Sequence, residues 1–345
     1  MNPQFQQMLQ EATRLTRAGL LDEATQMIQH ALRGQPEEVL LTEARDGSAV
    51  DHGGRALEFK VHVPAAHLGR RLPLVVMLHG CTQNPDDFAR GTAMNEHADR
   101  EGFVVLYPAQ SRAANASGCW NWFKHNHQGR GRGEPALIAA MTRQVMDEQL
   151  IDPRRVYVAG LSAGGAMAAI VAAAYPDVFA ALGVHSGIAV GAATSLPQAL
   201  SVMKGGAVGQ GLTGTSHSLG AKWPSGTGLA TAMPTIVFHG DRDQTVHPRN
   251  GEQVVAAALA AGASHEGGTS PGARIEQGRS GGGMPFTRAL HTGANGEVMV
   301  EHWLLHGAGH AWSGGRPEGT YTDASGPDAS REMLRFFFDH ARAHG

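Results

Sequence analysis

The chain has 345 residues, and its 28 Lys and Arg against 31 Asp and Glu give a formal net charge of -3. That length supports one large domain or two ordinary ones with a buried core, and the near-neutral balance gives no electrostatic basis for a nucleic-acid or anionic-membrane partner. Two cysteines, Cys81 and Cys119, exclude a disulfide-rich scaffold and a cysteine-only zinc cluster, and no apolar run reaches the roughly 18 residues of a membrane-spanning helix.

The first ten residues are polar, and Glu11, Asp22 and Glu23 fall where the apolar stretch of an export signal would lie. A cytoplasmic protein is therefore expected. Phe5, Met8, Leu9 and Ala12, then Ala24, Met27, Ile28, Ala31 and Leu32 recur at helical spacing around Gly19, which predicts a helical arm over residues 1–34. Residues 35–54 read as a linker and 55–345 as one further domain.

Within that domain, short apolar runs alternate with helical patterns. Leu57 to Val63 alternates like a half-exposed strand, and Leu74 to Leu78, Phe103 to Tyr107, Arg155 to Ala159, Thr235 to Phe238 and Glu301 to Leu305 suit strands buried on both faces. Helical spacing covers Glu134 to Leu150, Gly165 to Tyr175, Gly251 to Ala261 and Arg331 to Ala343. The alternation predicts a doubly wound α/β fold with a mostly parallel sheet and helices on both faces. Residues 191–232 and 262–285, rich in Gly, Ser, Thr and Ala, are expected as long surface insertions.

The chemistry concentrates at strand ends. Gly160-Leu161-Ser162-Ala163-Gly164-Gly165 follows a predicted strand and opens a predicted helix, the setting of a nucleophile elbow centred on Ser162. A serine hydroxyl needs a histidine to take its proton and a carboxylate to orient that histidine. The run His239-Gly240-Asp241-Arg242-Asp243 offers the acid, with Asp243 preferred to Asp241 because the turn brings it inward. His310, in a glycine-containing loop, is preferred as base to His306 at a strand's end. His302, His306 and His310 lie four apart, but that spacing aligns ligands only on a helix, and this stretch reads as strand and glycine loop, so no metal site is expected. Backbone N–H groups of Cys81 and Ala163 are the expected oxyanion-hole donors. Trp120, Trp122 and Trp312 are candidates for a substrate pocket or for core packing. Spacing alone leaves the pairing of Cys81 with Cys119 open. Gly129 to Gly133 lacks the ending of a phosphate loop and reads as a flexible connection, with His125 and His127 beside it solvated.

Across Leu72 to Ala193 the sequence resembles the poly(3-hydroxybutyrate) depolymerase-like esterases, relatives of feruloyl and acetylxylan esterases. The resemblance rests on LPLVVMLHGCTQNPDDF, CWNWF, RGRGEPALIAAM, RVYVAGLSAGGAMA and YPDVFAALGVHSG, and HGDRDQTV and HGAGHAWSGG extend it to roughly residues 55–340. It implies an α/β-hydrolase fold and serine esterase chemistry without a cofactor, with Ser162 as nucleophile, Asp243 as acid and His310 as base. It also implies a Cys81–Cys119 disulfide, since matching cysteines in secreted relatives look paired, and with it an extracellular alternative to the cytoplasm. Against the pattern of the secreted polymer depolymerases, the reading expects a protein without a signal peptide, a linker to a further domain or a C-terminal polymer-binding domain. Soluble oligomers or small esters are therefore expected in place of crystalline polymer. Carbohydrate-ester hydrolysis and a non-catalytic binding role on a hydrolase scaffold are the rival readings.

Overall fold

The computed structural model describes residues 43–50, 56–64, 69–205, 232–266 and 272–342. The helical arm expected over 1–34 lies outside them. Among the described residues the strands are β1 (Glu43–Val50), β2 (Ala56–Val63), β3 (Leu72–Leu78), β4 (Val104–Pro108), β5 (Ile151–Leu161), β6 (Ala181–His185), β7 (Thr235–Gly240), β8 (Arg274–Arg279), β9 (Pro285–Thr292), β10 (Val298–Leu305), β11 (Trp312–Ser313) and β12 (Thr322–Asp323). The helices are α1 (Pro85–Thr92), α2 (Met94–Glu101), α3 (Gly133–Glu148), α4 (Ala163–Ala174), α5 (Leu196–Gly205), α6 (Arg249–Glu266) and α7 (Ala329–Phe338).

Ten strands form one sheet in the order β1-β2-β4-β3-β5-β6-β7-β10-β9-β8, and β11 pairs with β12 apart from it. The block from β4 to β10 is parallel throughout. Antiparallel pairs close both edges, β2 with β1 on one side and β9 with β8 on the other. Every residue of β3 is buried, and its side chains divide by strand period: Leu74, Val76 and Leu78 enter one apolar cluster, Val75 and Met77 the other. The first cluster is roofed by α3, α4 and α6, the second by α1, α2 and α7 through Phe88, Met94, Ala98, Met333, Leu334, Phe336 and Phe337. This double cover explains why the central strands read as unbroken apolar runs.

Three expectations need correction. Residues 43–50, placed in the predicted linker, form β1 in register with β2 from Glu43 opposite Val63 to Val50 opposite Ala56. The segment EARDGSAV has no apolar alternation, so backbone pairing and not side-chain pattern makes it a strand. The two expected insertions are likewise not simple ones: the described part of 191–232 carries α5, which sends Ala199 and Val202 into the core, and 262–285 carries the end of α6 and all of β8, an exposed edge strand held by β9. The glycine-arginine connection before α3 is docked: the Arg130 guanidinium lies 4.6 Å from the Tyr175 ring centre, Gly131 N–H donates to the Tyr175 hydroxyl at 2.9 Å, and His127 is buried.

Candidate active site

Ser162 stands between β5 and α4 with φ 58° and ψ -120°. A non-glycine residue in that region is strained, and such strain persists only where the surroundings enforce it. Here two glycines make the enforcement possible. A Cβ on Gly160 would overlap Gly164, and one on Gly164 would overlap the carbonyl oxygens of Leu78 and His79 at the end of β3. Only glycine lets α4 start this close to the sheet. Ser162 is 7% exposed, and its backbone N–H donates to His185 O at 2.9 Å.

The loops after β7 and β10 carry two acid–histidine pairs. Asp243 is buried; its Oδ1 accepts the N–H groups of Thr245 at 2.9 Å and Val246 at 2.8 Å, and its Oδ2 accepts His310 Nδ1–H at 2.6 Å. Burial alone would raise the Asp243 carboxyl, but hydrogen bonds from His239 and His310, the charge on His310 and the Val246 N–H hold it well below the usual carboxylate range. An ionised Asp243 fixes the His310 proton on Nδ1 and leaves Nε2 as the basic nitrogen. The second pair joins Asp241 Oδ2 to His306 Nδ1 at 3.0 Å, with Gly307 N–H on Asp241 Oδ1 at 2.7 Å and the Thr287 hydroxyl on His306 Nε2 at 2.8 Å. Both nitrogens of His306 are thus engaged. The preferred acid meets the preferred base, and the two set aside meet each other, on strand and loop with no helix beneath them. Among the described residues no group of three or more His, Cys, Asp or Glu side chains is placed to hold a metal ion.

His185, not singled out from sequence, ties these parts together. Its carbonyl receives Ser162 N–H, and its Nε2 accepts the N–H of Ser313, three residues beyond His310, at 3.0 Å. Its ring stacks between Phe238 and Trp312, with ring centres 5.7 and 5.1 Å away. Burial, reinforced by the charges of His239 and His310, pushes its pKa down to about 3, in keeping with an Nε2 that accepts and carries no proton.

The loop after β3 is fixed from several sides. Cys81 and Cys119 form a disulfide, Thr82 N–H donates to Ser117 O at 2.8 Å, and Trp120 indole N–H donates to His79 O at 3.0 Å. Gln83 accepts Gly80 N–H at 2.9 Å and donates to Asp87 and to Thr320 O, both at 3.0 Å. The backbone N–H groups of Cys81 and Ala163 make no backbone hydrogen bond among the described residues. Glu134, buried at the start of α3, receives Gln110, Asn121 N–H and the Asn121 side chain at 2.6–2.7 Å, and so anchors the 110–121 loop that bears Cys119. Neither Gln83 nor Glu134 is legible as a site residue in sequence, because each works through partners distant along the chain.

The tryptophans are a correction. Trp120 and Trp312 are 0% and 1% exposed, with indole N–H groups spent on His79 O and Ser330 Oγ. Trp122 is buried edge-on against Phe123. All three pack inside the protein and offer no face to a ligand.

A strained serine between strand and helix, with an acid–histidine pair on later loops of a mostly parallel sheet, defines the α/β-hydrolase class. The solved acetyl xylan esterase from Aspergillus awamori shares this fold at a TM-score of 0.61 and 19% identity, over 85% of this chain and 99% of that one. The family model described as Esterase PHB depolymerase matches residues 57–272, and the chain belongs to that family. It is 33% identical over 256 residues to poly(3-hydroxyalkanoate) depolymerase C of Paucimonas lemoignei, which spans 74% of this chain and 58% of that protein. It is 31% identical over 204 residues to feruloyl esterase B of Thermothelomyces thermophilus, or 58% of this chain and 68% of that protein. The chain thus covers less than two thirds of the depolymerase.

Proposed function

We propose that the protein is a carboxylic ester hydrolase in which Ser162 is the nucleophile, His310 the base and Asp243 the acid. The observation that carries this reading is the buried 2.6 Å Asp243–His310 pair, set on loops at the same end of the sheet as the strained Ser162. His310 Nε2 takes the Ser162 proton as Oγ attacks the ester carbonyl, and the alkoxide oxygen is met by the N–H groups of Cys81 and Ala163. The proton then passes to the leaving alcohol, and water activated by His310 frees the acid from Ser162. The favoured substrates are short-chain or oligomeric 3-hydroxybutyrate-type esters, supported by family membership and the depolymerase relative. Feruloyl-type esters are the second reading, favoured by the likeness to a feruloyl esterase.

Intact-mass spectrometry after a fluorophosphonate probe tests the mechanism. One adduct on wild type and none on Ser162→Ala is the expected result; labelling of both, or full esterase activity in Ser162→Ala, would refute it. Initial rates on 3-hydroxybutyrate oligomers against methyl ferulate then decide between the substrate classes.

A further inference from the structure

Tyr321 combines three properties that a merely structural residue seldom shares. It is 46% exposed, its φ is 53°, and its hydroxyl lies 3.1 Å from Thr82 Oγ1. Thr82 is itself left-handed at φ 65° and directly follows Cys81. Because the Thr82 hydroxyl donates to Cys81 O at 2.6 Å, the tyrosine hydroxyl is the donor to Thr82. Two strained residues thus meet on the loop that offers the oxyanion donor.

The backbone of Tyr321 is held from the opposite side. Its carbonyl accepts Trp312 N–H at 2.7 Å, two residues past His310. The preceding Thr320 is bolted to the loop after β3 and to the helix α1 that follows it: its carbonyl accepts Gln83 at 3.0 Å, and its N–H and hydroxyl donate to Asp87 at 3.0 and 2.6 Å. Tyr321 therefore spans from the segment that follows His310 to the segment that follows Cys81, with its ring open to solvent. Nothing in core packing requires an exposed aromatic ring in a backbone region where glycine is the easier choice.

We infer that the Tyr321 ring is a wall of the substrate site and determines specificity for the acyl chain, an inference that rests on the esterase reading above. The leaving alcohol must lie beside His310, which protonates it. The ring tip at Thr82, on the oxyanion side, then faces the other substituent of the carbonyl. An aliphatic acyl chain longer than acetyl gains apolar contact with the ring, whereas acetyl is too short to reach it.

The test compares p-nitrophenyl acetate, butyrate and hexanoate on wild type, Tyr321→Phe and Tyr321→Gly, with fluorophosphonate adduct counting active sites. Glycine removes the ring at a φ that suits it, so the fold is retained. Tyr321→Gly is expected to lower kcat/KM for butyrate and hexanoate about tenfold relative to acetate, chiefly through KM. Tyr321→Phe keeps the wild-type ratio. An unchanged chain-length ratio in a fully labelled Tyr321→Gly enzyme overturns the inference, as does Tyr321→Phe losing as much as Tyr321→Gly. Should Tyr321→Gly not fold, Tyr321→Asn, which also tolerates this φ, decides by the same ratio. Failure of wild type to label or turn over any ester is a different result and sinks the esterase reading itself.

Discussion

Two aspartate–histidine pairs sit side by side in this protein, and single substitutions should separate them. Asp243 carries both a buried bond to His310 and two backbone N–H groups, so Asp243→Asn keeps the shape yet loses the charge that fixes the His310 tautomer. A fall in kcat of roughly 10³–10⁴ with a small change in KM is expected. Asp241→Asn breaks a half-exposed pair with His306 and should leave kcat within a few-fold. Comparable losses from the two would refute the assignment of roles in steady-state kinetics. The difference between Asp241 and Asp243 was readable in the sequence, since turn geometry after His239-Gly240 decides which carboxylate faces inward. The role of His185 was not, because its partners Ser162 and Ser313 come from remote positions and its own neighbours form no motif. The tryptophans misled for a related reason: an aromatic run beside Cys119 looks the same whether it lines a pocket or supports a loop from beneath.

At the scale of elements, the loop after β3 is as much a construction of its partners as of its own sequence. The disulfide closes a separation of 38 residues between it and the segment held by Glu134. Opening that closure in the unfolded chain is worth about 2–4 kcal/mol, so reductant should lower the thermal midpoint by several degrees, and Cys81→Ser/Cys119→Ser should match the reduced wild type. A midpoint indifferent to reductant in calorimetry would count against the bridge. Legibility at this scale followed burial with one exception, the fully buried β6, whose ALGVH is too short and too poor in large apolar residues to stand out. The strands covered on both faces, β3, β4, β5 and β7, announced themselves as apolar runs, whereas β1 and β8 are edge strands whose polar side chains carry no period and whose formation depends on a neighbour's backbone. Helices α1 and α2 escaped notice because PDDFARGT and MNEHADRE are two turns each, rich in polar and charged residues, and send only Phe88, Ala89, Met94 and Ala98 into the apolar cluster.

For the whole molecule, acid should act first through buried histidines and only later through carboxylates. Burial lowers His185 to about 3 and His302 to about 4, the latter with an Nε2 that finds no partner. Both are neutral in the folded protein at any pH where it is stable, while the same groups in the unfolded chain bind protons below about pH 6.5. The unfolded state therefore holds more protons, and stability falls as pH drops, by about 1.4 kcal/mol per pH unit for each histidine, from roughly pH 6.5 until the folded group titrates near 4 for His302 and 3 for His185. Asp243, Asp241, Asp328 and Glu134 are lowered in the fold, so their contribution is complete above their ordinary pKa and disappears only below it. Between about pH 6.5 and 5 the histidines act alone. Urea unfolding across that interval should show a declining midpoint, and His302→Gln should remove about one proton's share of the slope while preserving a polar side chain at β10. Stability that stays flat from pH 7 to 5 would mean that His185 and His302 are protonated in the native protein. The consequence for Ser162 follows from the same histidine: a His185 that stays neutral keeps Nε2 as the acceptor of Ser313 N–H, so the attachment between the serine turn and the loop bearing His310 lasts as long as the fold itself.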